Sequence, residues 1–479
     1  MASISQRASR AASPGMVLAI VSAGVVLASL DLFIVNVALP QIAAEFDVHN
    51  GLAGLSWVLN AYAIVYAALL VLLGRLADRY PRERGFLVGV AIFVVASAAC
   101  GVATSVEMLV AFRILQAVGA ALLTPASLAV VLATTAPERR NGAVRTWTAV
   151  GGLAAALGPV VGGLLVAADW RWVFFVNVPI GVLALVVGWR RLPHVPGHPA
   201  TPAPDALGAM LVTAGVALLT LGLVKGGDWG WGSTTTLAVL VAAAAGIALF
   251  VIHTAYHRNP LIDPRLFGLR AFTGASAVSL VFSAAFAAML LSRVLWAQDV
   301  WGWSALSTGL AIAPGPLMVP LFAVIGGRLL PRYGAGAIIA AGCTVFSAGV
   351  IWWALAAGAH PDYAGEMLGG MLLTGVGTGL ALPTIMATGS ASLPAHSFST
   401  GSAVVNMLRQ IGMAVGVAVF IAVLGTPHSA SDAVDAYRDA SIVIAAIALA
   451  AGVVAVALLS RRRAHAAATA TPAVEVEAA

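Results

Sequence analysis

Apolar stretches of roughly twenty residues recur fourteen times along this 479-residue chain, separated by charged or Pro/Gly-rich breaks. At a helical rise of ~1.5 Å per residue each stretch is long enough to cross the ~30 Å hydrocarbon core of a bilayer. Backbone exposed to lipid has to satisfy its own polar groups, so spans of this kind fold as α-helices. Only 9% of the residues are charged and 61% are hydrophobic, too little polar surface for a soluble protein of this size. The chain reads as an all-α polytopic membrane protein with no soluble domain long enough to fold alone.

The pattern predicts a tail over 1–15 and a first block of six helices within 16–190. These run Met16–Leu39, Leu55–Leu73, Gly85–Ala103, Met108–Leu132, Val144–Ala167 and Val173–Trp189. A Pro-rich linker over 191–206 leads to an inserted pair within 207–256, Leu207–Val224 and Thr235–Tyr256. Six more fill 272–460: Phe272–Trp296, Ser307–Ile325, Ala335–Leu355, Leu368–Ala387, Gly401–Leu424 and Ile442–Leu459. A tail follows over 461–479.

Basic residues orient this pattern. With the N-terminus inside, nineteen of the twenty-five Lys and Arg, Arg75, Arg79, Arg82, Arg84 and Arg145 among them, fall in inside loops and tails, against Arg171, Lys225 and Arg438 outside. The positive-inside rule therefore puts both termini in the cytoplasm. The net charge of +6 is a topology signal spread over many segments, so no nucleic-acid partner is expected. Trp170, Trp172, Trp229, Trp231, Trp301 and Trp303 fall in outer loops, as interface anchors do. Cys100 and Cys343 lie within helices and read as small core residues, and the first apolar run is too long for a cleaved signal peptide.

An internal repeat divides the chain. GRLADRYP from Gly74 is echoed by GRLLPRYG from Gly327, and Gly119, Ala121, Leu122 and Pro125 by Gly377, Gly379, Leu380 and Pro383. Two homologous six-helix bundles produce both echoes, and in transporters such repeats set the substrate site at their interface.

Four charges lie inside the apolar spans: Asp31, Arg113, Arg293 and Arg409. Each costs at least ~2.5 kcal/mol at bilayer depth, which marks it as functional or paired. Asp31 and Arg113 sit at similar depth. An aspartate there whose arginine partner comes and goes binds and releases a proton in the working pH range; the alternative is a static ion pair joining helices 1 and 4. Gln116, one turn beyond Arg113, is within reach of the same network and of a substrate cavity. Arg409, near mid-depth, is a cavity candidate with Asn60, Tyr62 and Tyr66, whereas Arg293 is close enough to the outer end of helix 9 to snorkel. Helix 5 concentrates Gly151, Gly152, Gly158, Pro159, Gly162 and Gly163, a close-packing seam that a proline can bend. At the turn after helix 2, Gly74, Asp78 and Arg79 are candidates for a latch formed in one conformer only; Arg82 and Arg84 read as ordinary inside-positive residues.

These motifs resemble the major facilitator superfamily. GRLADRYPRER (Gly74–Arg84) is similar to its cytoplasmic loop signature, FRILQAVGAA (Phe112–Ala121) to its helix 4 arginine motif and GPVVGG (Gly158–Gly163) to the helix 5 motif of its antiporters. LDLFIVNVALP (Leu30–Pro40), DWRWVFFVNVPIG (Asp169–Gly181) and the inserted pair resemble the fourteen-helix drug:proton antiporter subfamily. Departures stand at Pro81, Glu83 and Ala117, and Pro331 occupies the place of Asp78 in the second-half loop. The resemblance implies proton-coupled efflux of a hydrophobic or amphipathic drug or antibiotic by alternating access; the alternative is transport of another small metabolite, inward or outward, on the same fold.

The loops are too short and lack the acidic or His clusters of a membrane-embedded enzyme. Without a Gly-rich loop ending in Lys-Ser/Thr, ATP is not the driving ligand. The expected partners are a small-molecule drug, protons and the bilayer, with no cofactor or metal and the chain acting as a monomer. Every basic residue but Lys225 is arginine, a bias that goes with a GC-rich bacterial source and hence a bacterial cytoplasmic membrane. The intramembrane charges sum to +2, and helix 10, where resembling pumps carry acidic residues associated with cation specificity, has none between Ser307 and Ile325. Neutral or weakly acidic amphipathic substrates are therefore expected over dications.

Overall fold

The computed structural model describes residues 13–46, 52–197, 205–356, 358, 361–425 and 430–460. Among these, thirteen helices are long and apolar enough to cross a membrane. One of them, Leu306–Ala356, holds two spans joined at Gly334, whose φ of +79° is open to glycine at little steric cost. Fourteen spans result. They are α1 (Pro14–Glu45), α2 (Leu52–Arg79), α3 (Arg82–Gly101), α4 (Val106–Thr134), α5 (Pro137–Val166), α6 (Trp172–Arg191), α7 (Ala206–Trp229), α8 (Thr234–Tyr256) and α9 (Arg270–Leu295). Then come α10 (305–333), α11 (335–356), α12 (Gly369–Ala391), α13 (Phe398–Leu424) and α14 (Ala430–Leu459).

Local chemistry sets several ends. Ser105, Asp205 and Ser233 cap α4, α7 and α8 by accepting from the N–H three residues on. Pro137 at the start of α5 has no N–H to leave unpaired, which lets the helix begin seven residues before Val144, in a polar stretch that hides it. α6 is interrupted at Val176 between Trp172–Phe175 and Asn177–Arg191, just before Pro179.

The first six spans form one bundle, in which α1 packs on α5 and α6, and α4 on α2 and α3. The last six form the other, in which α11 packs on α12 and α14, and α9 on α13 and α14. The bundles meet through α2 and α4 against α13, and through α5 against α10 and α12. The inserted pair leans on the outside, α7 packing against α2 and α13. At the arginine-rich end the halves share one core: apolar residues of α1–α5 run on into Phe398, Ala403, Val404, Val405 and Met407 of α13. The C-terminal bundle keeps its own core around Phe282, Trp296, Phe346 and Trp353.

Several expectations are corrected here. Arg145 is not a loop residue but lies inside α5, buried, with Nη1 donating to the Ala323 carbonyl of α10 at 3.2 Å. Arg293 does not snorkel: it is buried between Trp353 (4.7 Å) and Trp296 (5.8 Å), because α9 continues into a π turn, Trp296–Val300, that carries the chain further before it turns back. Trp170 and Trp301 are buried ties rather than interface anchors, donating to Glu45 Oε2 (2.5 Å) and the Gly358 carbonyl (3.2 Å). Cys100 and Cys343 are free and buried. The tails over 1–12 and 461–479, and Pro199, Pro202 and Pro204 of the linker, lie outside the described residues.

Candidate functional site

Between the bundles lies a cavity of about 600 Å³. α1, α2, α4, α5, α9, α10, α12 and α13 line it, mostly with aliphatic, Met and aromatic side chains. Tyr62 and Tyr66 of α2 and Arg409 of α13 belong to the lining; Asn60 and Gln116 do not.

Gln116 faces the other way, into the N-terminal bundle, where it joins Asp31 and Arg113. The Asp31 carboxylate accepts from Arg113 Nη1 (2.5 Å), Gln116 Nε2 (2.9 Å) and Asn177 Nδ2 (3.2 Å). Arg113 also donates to Gln116 Oε1 (2.7 Å) and, through Nε, to the Val58 carbonyl (3.0 Å). Ser97 Oγ accepts from Gln116 (3.2 Å) and Asn177 (3.1 Å) and donates to the Phe174 carbonyl (2.9 Å). All five side chains are fully buried, so the network has exchanged water for internal partners. One ring separates it from the cavity: the Arg113 guanidinium lies 4.2 Å from the centre of Tyr62, which is itself part of the lining.

The arginine-rich end of the cavity is closed. Asp78, on the last turn of α2, accepts from the backbone N–H of Ser399 (2.9 Å) and Thr400 (2.7 Å) and from the Thr400 hydroxyl (2.6 Å). Those amides are among the first of α13, where helix N–H groups lack partners and the helix dipole attracts an anion. Gly74, one turn earlier, permits the approach: a Cβ there would lie 2.6 Å from Ala403 Cβ and 3.0 Å from the Ser399 carbonyl. Arg82, not Arg79, completes the cluster. It sits four residues from Asp78, 3.6 Å from the carboxylate, and donates to the Ala395 carbonyl. Arg79, turned about 100° from Asp78 on the helix, has no ion-pair partner among the described residues. Both Arg82 and Arg140 lie over the Phe398 ring.

The helix 5 motif packs in two directions. A Cβ at Gly162 would meet the Ile34 carbonyl of α1 at 3.0 Å, and one at Gly163 would meet Leu306 of α10 at 3.0 Å. Gly158 is buried in the same helix; the side chain of Pro159 lies outside the described residues.

Away from the cavity, Asp205, His253 and His257 gather at the ends of α7 and α8 with ligand atoms within 4.8 Å of one another. The Asp205 oxygens already cap Gly208 N–H (3.0 Å) and pair with His253 Nε2 (2.7 Å), which makes this group a clip between the inserted helices. Burial pushes the Asp205 carboxyl up, but these hydrogen bonds and the neighbouring histidines outweigh it and hold the group below its ordinary value.

Ser97, Asn177 and the α13 amides were not singled out in the sequence, where Arg145 was read only as an inside-loop charge. Asn177 alone had a signal there, as a polar residue within VFFVNVPIG.

Two helical bundles around a shared cavity, clasped at the arginine-rich end by Asp78 and the first amides of α13, have the architecture of a multi-pass membrane transporter. The Major Facilitator Superfamily matches residues 21–417, most of the chain, and the chain belongs to that family. It is 36% identical to a cephamycin export protein of Amycolatopsis lactamdurans over 442 residues, 89% of each chain. It is 32% identical to a tetracenomycin C resistance and export protein of Streptomyces glaucescens over 86% of this chain and 75% of that one. The human organic anion transporter MFSD10 superposes with a TM-score of 0.68 at 16% identity, covering 93% of this chain and all of that one, a likeness of fold alone. The protein is thus a membrane transporter related to antibiotic export proteins, and not an enzyme.

Proposed function

We propose that the protein exports a hydrophobic or amphipathic drug or antibiotic across the bacterial cytoplasmic membrane in exchange for protons, with both termini in the cytoplasm. The observation that carries this reading is the single ring, Tyr62, between a buried carboxylate network and the cavity. Ionised, Asp31 accepts from three donors at once and holds Arg113. Protonation weakens that attraction and turns one oxygen into a donor, for which Arg113 offers no acceptor. The guanidinium then relaxes against Tyr62, changing the wall against which a substrate sits. With the arginine-rich end cytoplasmic, the latched conformer faces outward, so a proton arriving from outside would favour release of the drug. Breaking the Asp78 latch would then return the cavity to the inside. The relatives' export and resistance roles support the same direction.

Everted vesicles holding the protein test this. A fluorescent drug should accumulate against its gradient when the lumen is acidified, and a protonophore should abolish the accumulation. Uptake only in right-side-out vesicles with an acidic exterior would reverse the direction.

A further inference from the structure

We infer that the cavity is built for an amphipathic monoanion, a rigid apolar body bearing one ionised oxygen such as a carboxylate, held by Arg409 with Gln410 and Tyr62 as further donors. The inference rests on the transport reading and names the substrate class of the same cavity.

α13 presents Asn406, Arg409, Gln410, Met413 and Val417 to the cavity, spaced so that all five fall on one helical face. Arg409 carries the only full charge among the described lining residues, and no carboxylate lines the space with it. Among the described residues its side-chain partner is the Tyr66 hydroxyl, which donates its own hydrogen bond to Thr124 Oγ1 at 3.2 Å. A guanidinium has five N–H donors, and one phenol oxygen cannot occupy them all.

The neighbouring polar groups are donors as well. The Tyr62 hydroxyl and the Gln410 amide nitrogen are buried without a hydrogen-bond partner, and both residues line the cavity. Buried donors left unpaired are costly, and a cation facing hydrocarbon is more so, unless an acceptor arrives. An ionised ligand group supplies the negative charge that Arg409 lacks and the acceptors that the two unpaired donors lack. The rest of the lining, including Phe286, Met289, Leu290, Trp147 and Met371, suits an apolar body. A cationic ligand would meet a like charge with no carboxylate to offset it.

Binding to purified protein in nanodiscs decides this without any proton gradient. The probes are 2-anthracenecarboxylic acid, its methyl ester and 2-(aminomethyl)anthracene, three fluorescent molecules of similar shape that are anionic, neutral and cationic at neutral pH. Anisotropy titrations corrected with empty nanodiscs should give the acid at least about ten-fold tighter binding than either of the others. Arg409→Gln should bring the acid down to the level of the ester and leave the ester unchanged, while Arg409→Lys keeps part of the preference. Equal or tighter binding of the ester or amine, no binding of the acid up to its solubility, or an acid preference that survives Arg409→Gln would each overturn the inference. A protein that selects the acid yet fails to accumulate drug in vesicles would refute export and leave the anion site standing.

Discussion

The two bundles share a topology and differ in what they bury. The N-terminal bundle encloses a carboxylate, a guanidinium, two amides and a hydroxyl joined in one hydrogen-bonded network, in which the Asn177 Oδ1 alone is left without a partner. The C-terminal bundle encloses a lone guanidinium, Arg293, packed on two tryptophans and bonded to Ser292 (2.8 Å) and Ser441 (3.5 Å). A carboxylate can exchange a proton with solvent at ordinary pH and an arginine cannot. The comparison teaches that two bundles of one topology can bury opposite chemistry: the first pairs its guanidinium with a carboxylate, and the second supplies packing and, through α13, cavity wall. The ends of the repeats differ in the same way. The first turn offers Asp78 to the amides of α13, whereas the second has Pro331 at the matching place, and contact with α5 passes instead through Arg145 to the Ala323 carbonyl.

The largest effect should come from Asp31→Asn. The amide keeps an oxygen for Arg113 but has no proton to exchange, so gradient-driven accumulation in vesicles should be lost entirely. Binding of the fluorescent drug should change by less than about ten-fold, because the residue is off the cavity and only the buried guanidinium loses its counter-charge. Full accumulation by this variant would erase the distinction between the halves.

Next is Asp78→Asn. It removes a charge-assisted acceptor from two amides and a hydroxyl, each such bond being worth about 1.5–3 kcal/mol. The balance should move at least about ten-fold toward the conformer open at the arginine-rich end. Distances between spin labels on α2 and α13 at that end would report it. Pro331→Ala, at the equivalent turn, should leave the balance where it is; equal shifts in the two variants would mean that the repeats gate alike.

Much of this was legible in the sequence, and the reason is the solvent. Lipid tolerates so few charges that Asp31, Arg113 and Arg409 stood out at once, and the fourteen spans were read from length and hydropathy. What escaped was carried by groups without a side-chain signature. Asp78 binds backbone amides of Ser399 and Thr400, which any residue but proline supplies. Arg145 was hidden because PERRNGAVR looks like a loop until Pro137 is seen to start a helix. Gln116 was read two ways because four residues of helix fix its neighbours along the axis but not which side of a bundle it faces. Arg82 was taken for a topology residue because a latch and a positive-inside signal look the same in sequence, although its i+4 spacing from Asp78 already allowed the pair.

Arg293→Met should have the smallest effect on transport and sharpens the comparison from the other side. The thioether can occupy much of the space between Trp353 and Trp296, and sulfur–aromatic contacts replace part of the cation–π attraction, which is about 0.5–2 kcal/mol per ring at sites like this. Arg293 pairs with no carboxylate among the described residues, so its removal strands no opposite charge. Its Nε has no hydrogen-bond partner, a burden that the substitution relieves. The gain and the loss nearly cancel. Thermal unfolding in nanodiscs should shift by only a few degrees in either direction, and accumulation in vesicles should stay within about two-fold of the unmodified protein. If the variant instead folds normally and loses proton-driven accumulation, the C-terminal arginine takes part in coupling, and the chemistry is divided between the bundles rather than held in the first.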